Sequence, residues 1–193
     1  PPRIALTKMP ERQSHAPAQK VALVIMGVSG CGKSSAGQAI AQQLNWELVE
    51  GDSYHSAQSV AKMQAGTPLT DEDREGWLER LAQRLAQASP THGLVLTCSS
   101  LKRKYRDQLR AAQHLGFVFL ELDYDTALER VQTRAQHFFS PHLVANQFAT
   151  LEDPRQESDV LTLNATLPLN TIAQKVQLWL QEPAASHTPT GAQ

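Results

Sequence analysis

The stretch VALVIMGVSGCGKSS, residues 21–35, decides the fold of this chain. Six apolar residues lead into a loop with the spacing Gly-x-x-x-x-Gly-Lys-Ser, and a segment with helical periodicity follows it. This spacing, with a strand before it and a helix after it, is typical of the phosphate-binding P-loop. Glycines let the backbone turn its N–H groups toward an anion, and the next helix points its positive dipole end at the phosphates. The stretch therefore predicts a nucleoside triphosphate site.

Within this loop, Lys33 is predicted to reach the β- and γ-phosphates, and the Ser34 hydroxyl is predicted to ligate Mg²⁺. The alternative, a chance glycine-rich turn, does not account for the matching strand and helix on either side. The predicted nucleotide-binding residues are contiguous: Gly27, Val28, Ser29, Gly30, Cys31, Gly32, Lys33, Ser34 and Ser35.

The composition is that of one globular domain. The chain has 193 residues, 41% of them hydrophobic and 19% charged, which suits a single well-buried core. A net charge of −1 gives no support for a nucleic-acid or membrane-surface partner. The two cysteines do not make a disulfide framework, and no apolar run approaches the ~18 residues of a membrane span. We therefore expect a cytoplasmic protein.

Five apolar segments alternate with amphipathic ones. The predicted strands are 21–26, 46–50, 93–98, 117–122 and 160–163. The predicted helices are 34–44, 54–65, 71–89, 101–115, 126–134, 141–150 and 171–180, with Asp71 as the N-cap of the third and Gly116 ending the fourth. This alternation predicts an α/β fold, a five-stranded parallel sheet with helices on both faces. Residues 1–20 are expected to be a flexible extension, 21–181 the single domain, and 182–193 a disordered tail.

Parallel α/β sheets bind ligands beyond the carboxyl ends of their strands, so the residues after each strand are candidates for the site. Asp52 follows the second strand and can act in three ways. It can orient or deprotonate an acceptor hydroxyl, hold Mg²⁺ through water, or cap the next helix. His55 is a candidate substrate ligand because of this neighbour, although a lone histidine is more often structural. Ser99 follows the third strand at the same edge.

The charged residues further along each allow two interpretations. Arg74, in the acidic start of a helix, binds an acidic or polyol substrate or belongs to a solvated helical turn. Lys102 and Arg106 lie at i and i+4, directly after the third strand. They suit a carboxylate-bearing substrate, through a point charge from Lys and a bidentate contact from Arg. A solvated helix face fits the same spacing equally well.

Arg130, Arg134 and His137 precede a break in the helical pattern. Phosphoryl transfer needs positive charge over the γ-phosphoryl group, and arginines from a lid can supply it. The alternative is an ordinary surface pair of arginines. Because the following segment looks like an insertion between the fourth and fifth strands, we favour a small helical lid at about 135–155.

Several blocks of the sequence, spread over about 21–180, resemble the small gluconate kinases of the P-loop kinase class, relatives of shikimate and adenylate kinases. The P-loop block fits many kinases, whereas the order and spacing of the later blocks are specific. The chain departs from the family at Glu50, where Asp is usual, and at Gly76, where Pro is usual. The blocks are GVSGCGKS (27–34), EGDSYHS (50–56), KMQAGTPLTDEDREGWL (62–78), CSSLKRKYRDQLR (98–110) and RAQHFFSPHLVANQFATLEDP (134–154).

The resemblance implies ATP-dependent phosphorylation of D-gluconate at its 6-hydroxyl by a three-layer P-loop kinase fold, usually a homodimer. ATP and Mg²⁺ are the implied cofactors, with Ser34 as the metal ligand. A kinase of another small hydroxy acid or polyol, and a nucleotide-binding switch with little turnover, stay open as alternatives. The predicted catalytic residues are Lys33, Asp52, Arg130 and Arg134. The predicted substrate-binding residues are Asp52, His55, Arg74, Ser99, Lys102, Arg106 and His137.

Overall fold

The sheet has the strand order β2–β3–β1–β4–β5, and all neighbouring strands in it are parallel. The computed structural model describes residues 19–133 and 142–183, and the strands in these ranges number five. Because the chain order reverses beside β1, the loop after β1 lies at the crevice where such sheets bind ligands. The parallel α/β prediction is therefore confirmed. The strands are β1 (Ala22–Met26), β2 (Glu47–Glu50), β3 (Leu94–Thr97), β4 (Leu115–Glu121) and β5 (Val160–Asn164).

Helices cover both faces of the sheet and complete the three layers. Successive side chains of a strand point to opposite faces, and β1 shows the result. Leu23 and Ile25 belong to a core completed by α1, α5, α6 and α7, whereas Val24 and Met26 belong to a core completed by α3 and α4. The helices are α1 (Lys33–Leu44), α2 (Ala57–Gln64), α3 (Asp71–Ala86), α4 (Arg103–Arg110), α5 (Tyr124–Thr133), α6 (His142–Thr150) and α7 (Leu169–Gln181).

Side-chain caps fix the starts of α2 and α3. The Ser56 hydroxyl accepts a hydrogen bond from the Ser59 N–H, with 3.1 Å between the two heavy atoms. Thr70 and Asp73 form a reciprocal capping box at the start of α3. The prediction that Asp71 is the N-cap is therefore wrong, since Asp71 is already the first helical residue. The motif Thr-x-x-Asp was the available signal for this cap.

The predicted helix 101–115 is too long at both ends, because a turn at 111–114 leads into the sheet at Leu115. The helix ends at Arg110, and β4 begins at Leu115. Gly116 lies inside this strand and ends no helix. A Cβ there would lie 2.6 Å from the ring of Trp179, so the missing side chain is what lets α7 pack closely on β4. The other predicted elements are present with shifts at their ends.

No helix within residues 19–133 and 142–183 is long and apolar enough to cross a membrane. Residues 1–18 and 184–193 lie outside the described ranges, so the flexible extension and the disordered tail stay predictions. The lid predicted at about 135–155 is described only from α6 onward, where Leu143 and Val144 are buried in the core. α6 therefore packs on the core of the domain rather than forming a detached lid, and the movement of a lid stays a prediction.

Candidate active site

A cleft lies beyond the carboxyl ends of β1, β2 and β3, and the space between its walls is about 810 Å³, part of which is open solvent. Three of the strand-end segments singled out in the sequence meet there: the P-loop, the turn after β2 and the residue Ser99 after β3. Side chains of α3 and α6 complete the walls. The polar residues that contact the cleft include Ser29, Lys33, Ser34, Asp52, His55, Arg74, Ser99 and Gln147.

The P-loop has the backbone that an anion cradle needs. Gly27, Gly30 and Gly32 have φ angles of 147°, 85° and 90°, a region that favours glycine. At Gly30 the space is closed as well, because a Cβ would lie 2.9 Å from the carbonyl oxygen of Ala127. The helix α1 begins at Lys33, directly after the loop, so its N-terminal dipole end faces the same place. The loop therefore has the geometry predicted for a triphosphate site.

Lys33 is held over this loop by the loop itself. Its Nζ donates to the carbonyl oxygens of Gly27 and Val28, at 3.0 and 3.1 Å. The same nitrogen lies 3.9 Å from Cys31 Sγ. The ammonium group of Lys33 therefore stands in the cleft where the β- and γ-phosphates are predicted to bind. Ser35, the last of the predicted nucleotide-binding residues, is exposed on the first turn of α1.

The helix α5 brings Arg130 against the P-loop. Its Nη1 donates to the carbonyl oxygen of Gly30 at 3.2 Å, across 100 positions of sequence. A cation therefore lies beside the loop, and the role of Arg130 at the phosphates stays a prediction. Arg134 and His137, the other two residues of the lid hypothesis, lie outside the described residues.

A carboxylate stands beside the predicted metal ligand Ser34. The Ser34 hydroxyl donates to Glu50 Oε2 at 3.1 Å, and the Thr97 hydroxyl donates to the same oxygen at 2.7 Å. Glu50 and Thr97 are register partners at the ends of β2 and β3, so the sheet aligns them. Hydroxyl and carboxylate oxygens are the hard ligands that Mg²⁺ prefers, so these residues fit the predicted ion. Sequence analysis missed Glu50, although its place at a strand end was a signal.

Asp52 lies in a 3₁₀ helix, Gly51–Tyr54, that directly follows β2. The predicted helix 54–65 is therefore wrong at its start, because α2 begins only after the cap at Ser56. Since Ser56 supplies that cap, the Asp52 carboxylate does not cap α2. This removes one of its three predicted roles. The side chain of Asp52 is 52% exposed and contacts the cleft.

Trp77 fixes the turn that carries Asp52 and His55. Its Nε1 donates to the Gly51 carbonyl oxygen at 2.8 Å, and its ring stacks on the His55 ring with 4.1 Å between centroids. His55 Nε2 lies 3.6 Å from Asp52 Oδ1, and the His55 side chain is only 4% exposed. Its Nδ1 is buried and has no hydrogen-bond partner in the described part of the chain. Trp77 was not among the site residues predicted from the sequence.

Arg74 contacts the cleft beside a network of fixed charges. Its guanidinium packs over the Tyr105 ring at 5.3 Å, and its Nε is buried without a partner among the described residues. The Asp71 carboxylate accepts hydrogen bonds from Lys104 and from the Tyr105 hydroxyl, each at 2.5 Å. These two bonds hold the pKa of Asp71 well below its usual range. Burial, helped by Asp71, raises the pKa of Tyr105 to about 12, so at neutral pH the Tyr105 hydroxyl keeps the proton that it donates to the Asp71 carboxylate.

Lys102 and Arg106 do not face the substrate as a pair. The Nζ of Lys102 lies 3.4 Å from the Asp71 carboxylate, and Lys102 is not among the residues that line the cleft. Arg106 is fully buried and donates to both carboxylate oxygens of Glu157, at 3.0 and 2.7 Å. It also donates to the Ser100 carbonyl oxygen at 2.8 Å. The prediction that Arg106 binds substrate is therefore wrong, because its charge is compensated inside the protein.

Several kinds of P-loop kinase share this geometry, and comparison with known proteins shows which of them this chain resembles. The sequence profile of the shikimate kinase family matches residues 29–176. Gluconokinase from Gluconobacter oxydans is 43% identical over 145 residues, which cover 74% of this chain and 81% of that protein. Thermosensitive gluconokinase from Escherichia coli is 40% identical over 157 residues, which cover 79% of this chain and 83% of that protein. This chain belongs to the gluconokinase family.

A solved gluconokinase structure extends the likeness from sequence to fold. A gluconokinase from Sinorhizobium meliloti matches with a TM-score of 0.74 and 42% identity, over 82% of this chain and 90% of that one. The resemblance inferred from the sequence blocks is thereby confirmed, and the chain is a P-loop phosphotransferase. In this gluconokinase-family protein, the polar groups that gather after three strand ends form the candidate active site.

Proposed function

We propose that this protein transfers the γ-phosphoryl group of ATP to the 6-hydroxyl of D-gluconate. The observation that carries the proposal is a single cleft shared by Lys33 and Ser34 of the P-loop and by Asp52 on the acceptor side. The relatives named gluconokinase support the choice of acceptor. A nucleotide-binding switch would have no need of this acceptor side.

In this proposal Asp52 is the general base. The gluconate hydroxyl oxygen attacks the γ-phosphorus, and the bond from that phosphorus to the oxygen that leaves with ADP breaks. The hydroxyl proton passes to the Asp52 carboxylate. The stack of Trp77 on His55 supports the role, because it limits the motion of the turn that carries the base. A carboxylate held there also orients the hydroxyl before the transfer.

Lys33 and Arg130 supply positive charge in the proposed mechanism. Phosphoryl transfer spreads negative charge over the oxygens of the moving group, and fixed cations lower the barrier most when they need no rearrangement. Both side chains bond to carbonyl oxygens of the same loop, which supports such a fixed arrangement. We propose Arg134 as a further source of positive charge and His137 as a substrate ligand, on the sequence and the family resemblance alone.

We propose Mg²⁺ as the metal, held by Ser34 and Glu50 directly or through water. The 3.1 Å contact between the two side chains supports this pair. Within residues 19–133 and 142–183 no group of three His, Cys, Asp or Glu side chains could hold a metal by itself. Phosphate oxygens and water would therefore complete its ligands. When bound, the ion would neutralise charge on the β- and γ-phosphate oxygens.

The acceptor side matches the chemistry of a polyhydroxy acid. His55 Nδ1 and Arg74 Nε are buried without partners among the described residues, a costly state that a polar ligand relieves. Arg74 suits the gluconate carboxylate, and His55 suits a hydroxyl. We propose Ser99, which contacts the cleft, as a further ligand. Lys102 is proposed as a more distant charge at the start of α4.

We further propose that the protein acts in the cytoplasm and forms a homodimer. Its use of ATP supports the location, as do the two buried free cysteines, Cys31 and Cys98, which suit a reducing compartment. The homodimer rests on the family resemblance alone. Light scattering on the purified full chain tests it, with the mass of two chains as the expected result.

An acceptor panel tests the proposed function. ADP release is measured with gluconate, other sugar acids, shikimate, nucleoside monophosphates and no acceptor, and the product is identified by ³¹P NMR. We expect efficient turnover with gluconate and a phosphate on its 6-hydroxyl. Turnover only with shikimate or another hydroxy acid would support kinase activity but reject gluconate as the acceptor. ADP release that is independent of any acceptor would favour the nucleotide-binding switch.

A further inference from the structure

One contact joins the wall of the acceptor cleft to the phosphate loop. Gln147, on α6, accepts a hydrogen bond from the backbone N–H of Ser29, with 2.5 Å between Oε1 and the nitrogen. The two residues are 118 positions apart, and their exposed fractions are 6% and 5%. The proposed transfer reaction assigns no task to Gln147, although this residue contacts the cleft.

The bond provides a partner for the N–H of a residue that is only 5% exposed. Ser29 lies between Gly27 and Gly30, in the first half of the loop, where the backbone enters the anion cradle. Buried backbone donors are almost always paired, because an unpaired one is costly. Without the oxygen of Gln147, this half of the loop would have to change shape to find another acceptor or water.

The next residue of the loop is held from a second direction. Arg130, on α5, donates to the carbonyl oxygen of Gly30 at 3.2 Å. Side chains of two different helices therefore hold two consecutive residues of the loop, one through an N–H and the other through a carbonyl group. This double contact restrains the orientation of the peptide groups at Ser29 and Gly30.

The helix that carries Gln147 is itself well anchored. Val144, one turn earlier on α6, is fully buried in the core that also contains β1. Just beyond α6, the Glu152 N–H donates to the Leu101 carbonyl oxygen at 2.8 Å, which ties this end to the segment after β3. An anchored helix can hold a loop in place, whereas a loosely attached one would move with it.

We propose that Gln147 is a positioning residue for the donor nucleotide. By accepting the Ser29 amide proton, it keeps the first half of the loop in the shape in which the following N–H groups meet the phosphates. This deepens the proposed function and rests on it only for the binding of a triphosphate by the P-loop. The identity of the acceptor plays no part.

The test compares Gln147→Met, which keeps the length of the side chain and removes its oxygen, with the unaltered full-length protein. Binding of the non-hydrolysable ATP analogue AMP-PNP with Mg²⁺ is measured calorimetrically without acceptor. We expect binding to weaken by about 10-fold, the usual scale for a buried donor that loses its partner. Amide exchange of Ser29, followed by NMR without nucleotide, should become faster by a similar factor.

Gln43→Met is the matched control. Gln43, on α1, donates to Gln177 at 2.7 Å in an exposed contact outside the cleft. The Gln43→Met variant loses one side-chain hydrogen bond, as Gln147→Met does. Its affinity for AMP-PNP should equal that of the unaltered protein. An equal loss in both variants would overturn the proposal, because a general loss of stability would then explain it.

Three results separate positioning from other roles. Unchanged or tighter AMP-PNP binding by folded Gln147→Met would overturn the proposal, since tighter binding means that Gln147 competes with the phosphates for the Ser29 N–H. With gluconate, KM for ATP should rise more than KM for gluconate, and the reverse order would make Gln147 an acceptor ligand. If the Met variant does not fold, Gln147→Glu retains an oxygen acceptor, and the Ser29 amide must stay protected in it.

If no turnover is found with gluconate, gluconate is rejected as the acceptor. The result of the AMP-PNP binding test still stands in that case.

Discussion

The two sides of the cleft are built from different parts of the protein. The phosphate side is largely backbone: three glycines with positive φ, the N–H groups after them, and carbonyl oxygens that hold Lys33 and Arg130. The acceptor side is made of side chains from separate elements, with Asp52 after β2, Arg74 from α3 and Ser99 after β3. One contiguous loop forms the first side, and tertiary packing forms the second.

This difference predicts where specificity resides. A backbone cradle recognises phosphate, which every P-loop kinase uses, and a single side-chain change can do little to redirect it. A wall of side chains can change its ligand one residue at a time, so the choice of acceptor belongs there. Substitutions on the phosphate side should therefore affect every acceptor alike. Substitutions on the acceptor side should discriminate between acceptors.

Lys33→Ala should have the largest effect on turnover. It removes the cation that the loop holds over the phosphates, and we expect activity to fall below about one-thousandth with every acceptor. ADP release measures the effect, and circular dichroism checks that the fold persists. Lys175→Ala, an exposed position on α7, is the control and should keep full activity. Activity above a tenth of the original value would remove Lys33 from the mechanism.

Asp52→Asn should lower kcat by about 100-fold to 1000-fold, the usual scale for a general base, and leave AMP-PNP affinity nearly unchanged. The amide keeps the size of the side chain but is a poor proton acceptor. Asp125→Asn, an exposed carboxylate in the first turn of α5, is the control. An unchanged kcat would leave Asp52 without a part in the transfer.

Arg74→Gln should act on the acceptor alone. We expect KM for gluconate to rise by about 10-fold to 100-fold, as for a lost hydrogen bond to a charged group, with KM for ATP unchanged. For an uncharged polyol of the same length, the KM of the variant divided by the KM of the original enzyme should be a smaller ratio, because the polyol lacks the carboxylate. Arg103→Gln, an exposed arginine on α4, serves as the control. Equal effects on both substrates would contradict the division of the cleft.

Glu157→Gln should change turnover least and stability most. It leaves the buried guanidinium of Arg106 without its counter-charge, which costs about 3 kcal/mol in the free energy of unfolding. Asp153→Asn is the matched control, since its pair with Arg155 is exposed and screened by solvent, so its loss should change the stability little. Urea denaturation measures both variants. A specific rise in KM for gluconate, with stability intact, would restore Arg106 to the substrate site.

The phosphate side could be predicted from the sequence because its parts are neighbours in the chain. The positive φ angles of the glycines and the places of Lys33 and Ser34 in the cleft agree with the prediction, while their roles in binding stay predictions. The strand ends also placed Asp52 and Ser99 correctly, since parallel strands bring their carboxyl ends to one edge. Local patterns were sufficient wherever one segment decides its own geometry.

The remaining features depend on contacts between distant segments. Helical spacing put Arg106 on the same face as Lys102, but only the fold brings Glu157 beside it, 51 positions away. Glu50 meets Thr97 through the sheet register, 47 positions away, and Gln147 reaches Ser29 across 118. No spacing rule covers such separations, so these partners could not be predicted from one sequence.

The two carbonyl bonds of Lys33 have a consequence for how quickly the protein captures nucleotide. A free lysine side chain moves through many conformers, and ordering it costs about 2 kcal/mol. Here the loop itself supplies that order, because the carbonyl oxygens of Gly27 and Val28 hold the ammonium group. Only the weak contact with Cys31, at 3.9 Å, has to give way to a phosphate oxygen. Folding has thus already met an entropic cost that would otherwise slow and weaken each encounter with ATP.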